Sequence, residues 1–186
     1  MCILLTLIFV NCASAAPIQY SGNGHYYDTA TSYGISWEAA KSTAEALSFN
    51  GMQGHLATIT SQDENNFIVT TFNNPAYCWL GGFQPTNIQN GNLEPAGGWQ
   101  WVTGEKWSYT NWGGGQPDNS GGQEHYLHMC WWDQGKWNDL SNSYTMHGFI
   151  VEYEPTTSVP EFPSIVLPVA AVLGLVVIFG RRKNIV

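Results

Sequence analysis

The sequence predicts an α+β domain, because two helix-like segments in its first half are followed by several short strand-like segments. Both helix-like segments, "SWEAAKSTAEAL" and "SQDENNFIVTTF", repeat apolar residues at the spacing of an α-helix. The later segments are rich in aromatic and β-branched residues and are separated by Gly, Asn and Pro. With 186 residues, of which 44% are hydrophobic, the chain can hold one sizeable domain rather than two.

Each predicted helix begins at a recognisable capping residue. Ser36 precedes the first helix, whose apolar residues fall on one face: Trp37, Ala40, Ala44 and Leu47. The segment "GHLATI" is predicted as a short strand. The second helix then opens with Ser61-x-x-Glu64, a capping box in which each side chain satisfies a free backbone N–H.

The second half of the domain is predicted to be short strands and ordered loop. The segment "AYCWLGGF" is predicted as a buried strand that ends in a glycine turn. In "GGWQWVTG", alternate residues place Trp99, Trp101 and Thr103 on one side. Two strands, "HYLHMCWW" and "KWNDL", flank the turn "DQGK", and "HGFIVEYE" is predicted as the last strand. Residues 85–122 are mostly loop.

Apolar segments at both ends predict targeting and anchoring sequences. Residues 1–16 combine an apolar run with "ASAAP", which is typical of a cleaved secretory signal peptide. The domain then spans 17–154, and 155–164 form a Pro/Thr/Ser-rich stalk with a sorting motif. The apolar run at 165–180 is predicted as a transmembrane segment. Because the basic tail 181–186 should stay cytoplasmic, the domain is expected at the extracellular face of the cell membrane.

The predicted domain carries an excess of negative charge. Charged residues make up 11% of the chain, and the net charge is −8. Half of the six basic residues are Arg181, Arg182 and Lys183, outside the domain. An acidic surface repels a phosphate backbone, which argues against a nucleic-acid partner and favours cations.

Two cysteines, Cys78 and Cys130, lie within the predicted domain, whereas Cys2 and Cys12 would leave with the signal peptide. Outside the cell, where conditions are oxidising, a Cys78–Cys130 disulfide is the simplest expectation. Two buried free thiols are the alternative.

The order and spacing of these segments resemble the C-type lectin-like domain. "SWEAAKSTAEAL" is similar to that family's first helix, "GHLATITSQDEN" to the turn into its second, and "WLGG" to its central strand. "YTNWGGGQPDN" resembles the calcium loop of the family, and "KWND" its calcium-binding strand. The resemblance covers residues 24–153 and implies the same fold: two helices flanking short antiparallel sheets, with a long calcium-binding loop.

The sequence departs from this family at its disulfides. The family usually has two, and the corresponding positions hold other residues here: Ala44, Tyr126, Asn142 and Val151. The resemblance places Cys78 and Cys130 on neighbouring strands. A replacement disulfide is therefore expected, with a stabilising effect of order 2–4 kcal/mol.

The C-terminal segment resembles the PEF-CTERM sorting tails of archaeal surface proteins. Residues 159–183 contain a Pro-Glu-Phe signature in "VPEFPS", then the apolar run and the basic cluster. The resemblance implies that a membrane transpeptidase of the archaeosortase type cuts near residues 160–162 and replaces the helix by another anchor. A plain membrane anchor is the alternative, and either one tethers the domain to a surface.

The resemblance implies five calcium ligands: Gln116, Asp118, Glu124, Asn138 and Asp139. Gln116 and Asp118 flank Pro117 at i and i+2, so they face one side of an extended segment, and the resemblance implies a cis peptide bond before Pro117. Calcium takes roughly 6–8 oxygen ligands, which these side chains, a backbone carbonyl and two ligand hydroxyls can supply. A polar glycine loop without a metal is the alternative.

The same resemblance implies that a glycan completes the calcium shell. In sugar-binding members, two vicinal hydroxyls coordinate the ion and hydrogen-bond amide and acid ligands, here Gln116, Asp118, Glu124 and Asn138. The order Gln116-Pro117-Asp118 places the amide first and resembles galactose-type sites, which also need an aromatic ring against the sugar. The candidate rings are Trp112, expected to be structural, and Tyr126, Trp131 and Trp132, most of which are expected in the core.

The sequence disfavours catalysis and zinc binding. If Asp118 and Glu124 bind calcium, neither is free to act as the acid of a glycoside hydrolase, and no nucleophile elbow is present. His125 and His128 are three apart on a predicted strand, so they point to opposite faces. The chain is therefore predicted not to be an enzyme. The main alternative to a glycan binder is a calcium-dependent protein-binding or structural surface domain.

Overall fold

The computed structural model describes residues 16–85 and 94–155, which carry two α-helices and nine short strands. The helices are α1 (Trp37–Ala46) and α2 (Gln62–Thr71). The strands are β1 (Ile18–Gln19), β2 (Tyr26–Ile35), β3 (Ser48–Phe49), β4 (Met52–Leu56), β5 (Cys78–Phe83), β6 (Gln100–Trp101), β7 (Tyr126–Met129), β8 (Trp137–Leu140) and β9 (Met146–Tyr153). The α+β class predicted from the sequence is confirmed.

The predicted signal peptide, stalk, transmembrane segment and basic tail fall almost entirely outside the described residues. Within the described stretches, neither helix is long and apolar enough to cross a membrane.

The central strand of the sheet is β9. It pairs antiparallel with β2 and β4 and parallel with β5. The sheet continues from β5 through β7 to β8, giving the order β1-β2-β9-β5-β7-β8. The β7/β8 end, which carries the predicted ligands of "KWND", is therefore separated by β5 from the β2/β9/β4 end.

Both helices begin where the capping signals predict. The Ser36 hydroxyl caps α1, and the Ser61 hydroxyl accepts a hydrogen bond from the Glu64 backbone N–H at 3.2 Å. The second half of the predicted capping box differs, because the Glu64 carboxylate accepts from the N–H of Thr60 rather than of Ser61. The other carboxylate oxygen accepts from the Tyr27 hydroxyl in the core, which draws the side chain inward.

The "WLGG" motif of β5 lies in a closely packed part of the fold. A Cβ on Gly81 would lie 2.6 Å from the Leu56 carbonyl oxygen, and one on Gly82 would lie 2.7 Å from a methyl group of Leu127. Only glycine lets these neighbouring strands approach so closely. The motif therefore holds β4 and β7 against the two sides of β5.

Two strands differ from the sequence prediction. β4 begins earlier than "GHLATI" and ends at Leu56, the last residue whose register partner lies on β9. The sequence does not predict the 10-residue strand β2, because its polar and small residues show no clear alternation of apolar and polar side chains. Its pairing with the buried strand β9, rather than its own pattern, makes it a strand.

The predicted Cys78–Cys130 disulfide is wrong, because both cysteines are free thiols. Trp79 lies opposite His128 in the antiparallel β5/β7 pair, which puts Cys78 level with Met129, one residue away from Cys130. A one-residue offset turns the two side chains to opposite faces of the sheet. Burial raises the pKa of each thiol to about 12, so both stay protonated at neutral pH.

Candidate metal site

Two separate parts of the chain bring the predicted ligands together: the loop before β7 and the strand β8. The carboxylate of Asp139 on β8 is fully buried. Its Oδ1 accepts from the backbone N–H of Asp118 at 3.1 Å, and its Oδ2 from that of Asn119 at 2.8 Å. Asp139 thus fixes the loop backbone against β8 through two charge-assisted hydrogen bonds.

The loop then closes on itself through side-chain hydrogen bonds. Asn119 has a left-handed backbone with φ 46°, and its Oδ1 accepts from the Glu124 N–H at 3.0 Å. The Ser120 N–H donates to Glu124 Oε2 at 2.9 Å and to Asp118 Oδ1 at 3.2 Å. These bonds bring the carboxylates of Asp118 and Glu124 to the same side of the loop.

The backbone at the start of this loop agrees with the resemblance. The peptide bond between Gln116 and Pro117 is cis, as predicted. A second cis bond, between Glu94 and Pro95, was not predicted, and Glu94 accepts a hydrogen bond from the Asn119 side chain at 3.0 Å.

Three carboxylates form the centre of the site. Asp118, Glu124 and Asp139 each offer an oxygen atom, and these atoms all lie within 4.8 Å of one another. Among the described residues, none of the three forms an ion pair with a lysine or arginine. Burial, together with the charges of Asp139 and Asp118, raises the pKa of Glu124 to about 7. Burial also raises the pKa of Asp139. The cluster therefore carries unbalanced negative charge that a cation would relieve.

Two amide oxygens complete the donor set. Gln116 Oε1 and Asn138 Oδ1 are both buried, and neither has a hydrogen-bond partner among the described residues. A buried polar atom without a partner costs about 1–3 kcal/mol, so it needs an explanation. Gln116 lies two residues before Asp118, and Asn138 directly precedes Asp139, so both oxygens are candidate ligands for a cation bound at the carboxylates.

His128 orients the Asn138 amide. Its Nδ1–H donates to the Met129 carbonyl at 2.8 Å, which leaves Nε2 to accept from Asn138 Nδ2 at 3.1 Å. Burial lowers the pKa of His128 to about 4, so the ring stays neutral and keeps this acceptor. With Nδ2 engaged, Asn138 turns its Oδ1 away from His128, as a metal ligand requires.

Sequence reasoning did not find this role of His128. The sequence feature that could have revealed it is the turn "DQGK", because this turn sets the register of β7 and β8 and so pairs His128 with Asn138. His125 lies elsewhere, with its Nδ1 3.7 Å from a carboxylate oxygen of Glu94. No metal-binding cluster among the described residues contains both His125 and His128.

The donor chemistry of the five side chains fits calcium. All five offer oxygen, the hard donor that Ca²⁺ prefers, and three of them are carboxylates. Zn²⁺ favours nitrogen and sulfur, neither of which this set offers. Gln116, Asp118, Glu124, Asn138 and Asp139 are the residues that would hold the ion.

The aromatic candidates divide into structural and exposed rings. Trp112 packs against Trp99 and Trp137 in the core, as expected. The expectation that most of Tyr126, Trp131 and Trp132 lie in the core is wrong, because Trp131 and Trp132 are 57% and 45% exposed. These two residues follow the end of β7, in the turn toward β8. With Asn138, Tyr144 and their neighbours they line a groove of about 280 Å³.

Comparisons with known proteins match two segments of the chain. The C-type lectin domain matches residues 35–150, and the PEF-CTERM archaeal protein sorting domain matches residues 159–183. Both resemblances noted in the sequence are therefore confirmed.

Individual relatives agree with this result. Halomucin of Haloquadratum walsbyi is 32% identical over 149 residues, which are 73% of this chain but 2% of halomucin. Perlucin of Haliotis laevigata is 37% identical over 119 residues, 61% of this chain and 70% of perlucin. The crystal structure of the C-type lectin CEL-I from Cucumaria echinata has a TM-score of 0.59 at 22% identity, covering 76% of this chain and 99% of that one. This last similarity concerns the fold alone.

The raised pKa of Glu124 predicts that calcium binding weakens on mild acidification. A proton on Glu124 must leave before its carboxylate can bind a cation, and its pKa of about 7 places that competition between pH 8 and 6. We expect the apparent affinity at pH 6 to be about tenfold weaker than at pH 8. Calorimetric titration in buffers of different ionisation enthalpy would report the released proton, and an affinity independent of pH would contradict the prediction.

The His128–Asn138 contact predicts a positioning role for His128. His128→Phe keeps an aromatic ring but removes the acceptor for Asn138 Nδ2, so calcium affinity should fall by about 10-fold or more. His128→Gln offers an acceptor oxygen and should restore much of the affinity. Thermal unfolding in chelator serves as the control for folding. Equal calcium affinity in wild type and His128→Phe would show that the contact does not orient Asn138.

Proposed function

Because this chain belongs to the C-type lectin domain family, we propose that it is a calcium-dependent carbohydrate-binding module displayed at the cell surface. The observation that carries the proposal is that five side chains with oxygen donors lack the partners that such groups normally have. Among the described residues, three clustered carboxylates lack a lysine or arginine partner, and two buried amide oxygens lack a hydrogen-bond partner. In this proposal one divalent cation contacts all five oxygen donors. A polar loop without a metal would leave the carboxylate charges unbalanced and the two amide oxygens without a partner, and each of these is unfavourable.

The five ligands divide into two roles in this proposal. Asp139 lies deepest and holds the loop, so its role is to bind the ion and fix the geometry. Gln116, Asp118, Glu124 and Asn138 would also meet the hydroxyl groups of the sugar. Calcium, when bound, would supply coordination positions for two vicinal hydroxyls, and the carboxylates and amides would accept and donate hydrogen bonds to them.

The groove next to Asn138 supports carbohydrate as the ligand. Sugars present apolar C–H faces that pack against aromatic rings. Trp131, Trp132 and Tyr144 are 57%, 45% and 58% exposed, an unusual concentration of exposed aromatic surface. Because Asn138 lines the same groove, a sugar held at the ion could rest its apolar face on these rings.

A galactose-type preference follows from the order of the loop ligands. Gln116 precedes the cis peptide bond and Asp118 follows Pro117, so the amide comes before the acid. Reversing that order would exchange donor and acceptor across the ion and favour a different arrangement of hydroxyl groups. We propose galactose-type sugars as the preferred class on this basis.

The surface location rests on the two ends of the chain. The PEF-CTERM match at residues 159–183 is that of a protein sorting domain, and a signal peptide is proposed for residues 1–16. We propose export, followed by retention through the apolar segment 165–180 or through a replacement anchor added by an archaeosortase-type enzyme. Weak single sites on a surface would gain avidity from the display of many copies.

Removing one ligand charge tests the proposal. In Asp118→Asn, calcium affinity should fall by at least about 10-fold and galactose binding should be lost, since the variant removes one of the three carboxylates. Asp133→Asn makes the same charge change outside the cluster and should bind like wild type. The measurements are calcium calorimetry and binding to immobilised galactose, with and without chelator.

The outcomes separate the proposed function from its alternative. Galactose binding that persists in excess chelator, or in Asp118→Asn, would rule out the proposed mechanism. Calcium binding without retention on any sugar of a glycan array would favour a calcium-dependent protein-binding or structural domain.

Exchanging the ligand order tests the sugar class. The double variant Gln116→Glu, Asp118→Asn keeps the number of carboxylates and amides but places the acid first. The acid-first order resembles that of mannose-type sites in the family, so we expect calcium affinity within a few-fold of wild type and a shift of preference from galactose to mannose. The ratio of the two sugars in competition binding measures the shift, and an unchanged ratio would show that ligand order does not set specificity here.

A further inference from the structure

A second group of metal-binding side chains lies at the other end of the sheet, where β2, β4 and β9 meet. His55 on β4 and Tyr27 on β2 are both register partners of Glu152 on β9. His25 is two residues before Tyr27, and Glu154 is two residues after Glu152. Because alternate residues of a strand face the same side, His25, His55, Glu152 and Glu154 share one face of the sheet.

The distances within this group are those of a compact site. His25, Glu152 and Glu154 each offer one ligand atom within 4.8 Å of the others. His25 Nδ1 lies 2.6 Å from Glu152 Oε1, and His55 Nε2 lies 3.3 Å from Glu154 Oε1. His55 is therefore linked to the other three through Glu154, and its Nδ1 is 4.0 Å from Glu152 Oε2.

Two atoms at the centre of this group have no hydrogen-bond partner within residues 16–85 and 94–155. His55 Nε2 and Glu154 Oε1 are both buried and unsatisfied, although they face each other at 3.3 Å. His55 Nδ1 is 3.0 Å from the Leu56 carbonyl, which can only accept, so Nδ1 carries the proton. Nε2 is thus the ring nitrogen that faces the Glu154 carboxylate, and a separation of 3.3 Å lets one metal ion contact both atoms.

Contacts with neighbouring groups orient the Glu152 carboxylate. Its Oε2 accepts from the backbone N–H of Thr58 at 2.8 Å, and its Oε1 lies 2.6 Å from His25 Nδ1. Such contacts to a ligating carboxylate orient it and raise metal affinity. In the described part of the chain, the ion pairs of Glu152 and Glu154 are with His25 and His55 alone, so no lysine or arginine competes with a metal ion for the two carboxylates.

We propose that His25, His55, Glu152 and Glu154 bind a borderline divalent transition-metal ion, for which Zn²⁺ is the natural probe. Two imidazole nitrogens and two carboxylate oxygens are a donor set suited to zinc and poorly suited to calcium, which takes oxygen alone. The four side chains come from three strands, so a bound ion cross-links them. Three of the four lie outside residues 35–150, the part that matches the C-type lectin domain.

The experiment is a zinc titration under conditions that occupy the calcium loop. The full-length chain, purified in mild detergent, is stripped with chelator and returned to excess Ca²⁺. Zn²⁺ is then titrated by calorimetry, and Co²⁺ by visible absorption. We expect one equivalent of Zn²⁺ to bind and Co²⁺ to give the intense d–d bands of a tetrahedral nitrogen and oxygen site.

Matched variants assign the site. His55→Gln and Glu154→Gln should each weaken zinc binding by at least about 10-fold. Glu154 is partly exposed, so its amide variant is expected to fold normally. His147→Ala removes a histidine from the same strand β9 outside the group, and Asp118→Asn disables the calcium loop. Both should bind zinc like wild type.

The absence of saturable zinc binding in the calcium-loaded protein would overturn the proposal. Equal zinc affinity in Glu154→Gln and wild type would do so as well. Zinc binding lost in Asp118→Asn but kept in His55→Gln would assign the ion to the calcium loop instead. None of these outcomes depends on sugar binding, so the test is independent of the proposed function.

Discussion

Buried negative charge is the constraint that shapes this domain. Glu64, Glu124, Asp139 and Glu152 are each less than a tenth exposed. Among the described residues, none of them pairs with a lysine or arginine. A buried carboxylate without compensation costs several kcal/mol, so the fold must bring hydrogen-bond donors or cations to all four.

Hydrogen bonds provide part of the compensation, and they also link distant parts of the chain. Asp139 joins β8 to the loop through two backbone N–H groups, and Glu152 joins β9 to the segment before α2 through Thr58. Glu64 accepts from Thr60 nearby and from Tyr27 on β2. Each carboxylate thus determines a long-range contact. Among the described residues, the amide oxygens of Gln116 and Asn138 and one carboxylate oxygen of Glu154 have no hydrogen-bond partner, and they belong to the two proposed metal sites.

The sequence predicts the features that depend on neighbouring residues and misses those that depend on strand register. Helix caps at Ser36 and Ser61 and the ligands on either side of Pro117 are local patterns, and the structure has the caps and the cis bond as predicted. The disulfide fails because it requires Cys78 and Cys130 to be in the same register, and a one-residue offset separates them. His25 and His55 lie far apart in the sequence, and only the pairing of β2 and β4 with β9 brings them together.

Cations bound at the two proposed sites would stabilise this domain by about as much as a disulfide would. A disulfide contributes roughly 2–4 kcal/mol. A ligand that binds only the folded state contributes about 2.7 kcal/mol when its free concentration is 100 times its Kd. One ion held by Asp118, Glu124 and Asp139 would stabilise the β7/β8 end, and a second, held partly by histidine nitrogens, would stabilise the β2/β9/β4 end. Because the first donor set is all oxygen and the second includes nitrogen, the two sites would select different ions from a mixture. The domain could then lose its glycan site to a calcium chelator while the opposite end of the sheet stays cross-linked.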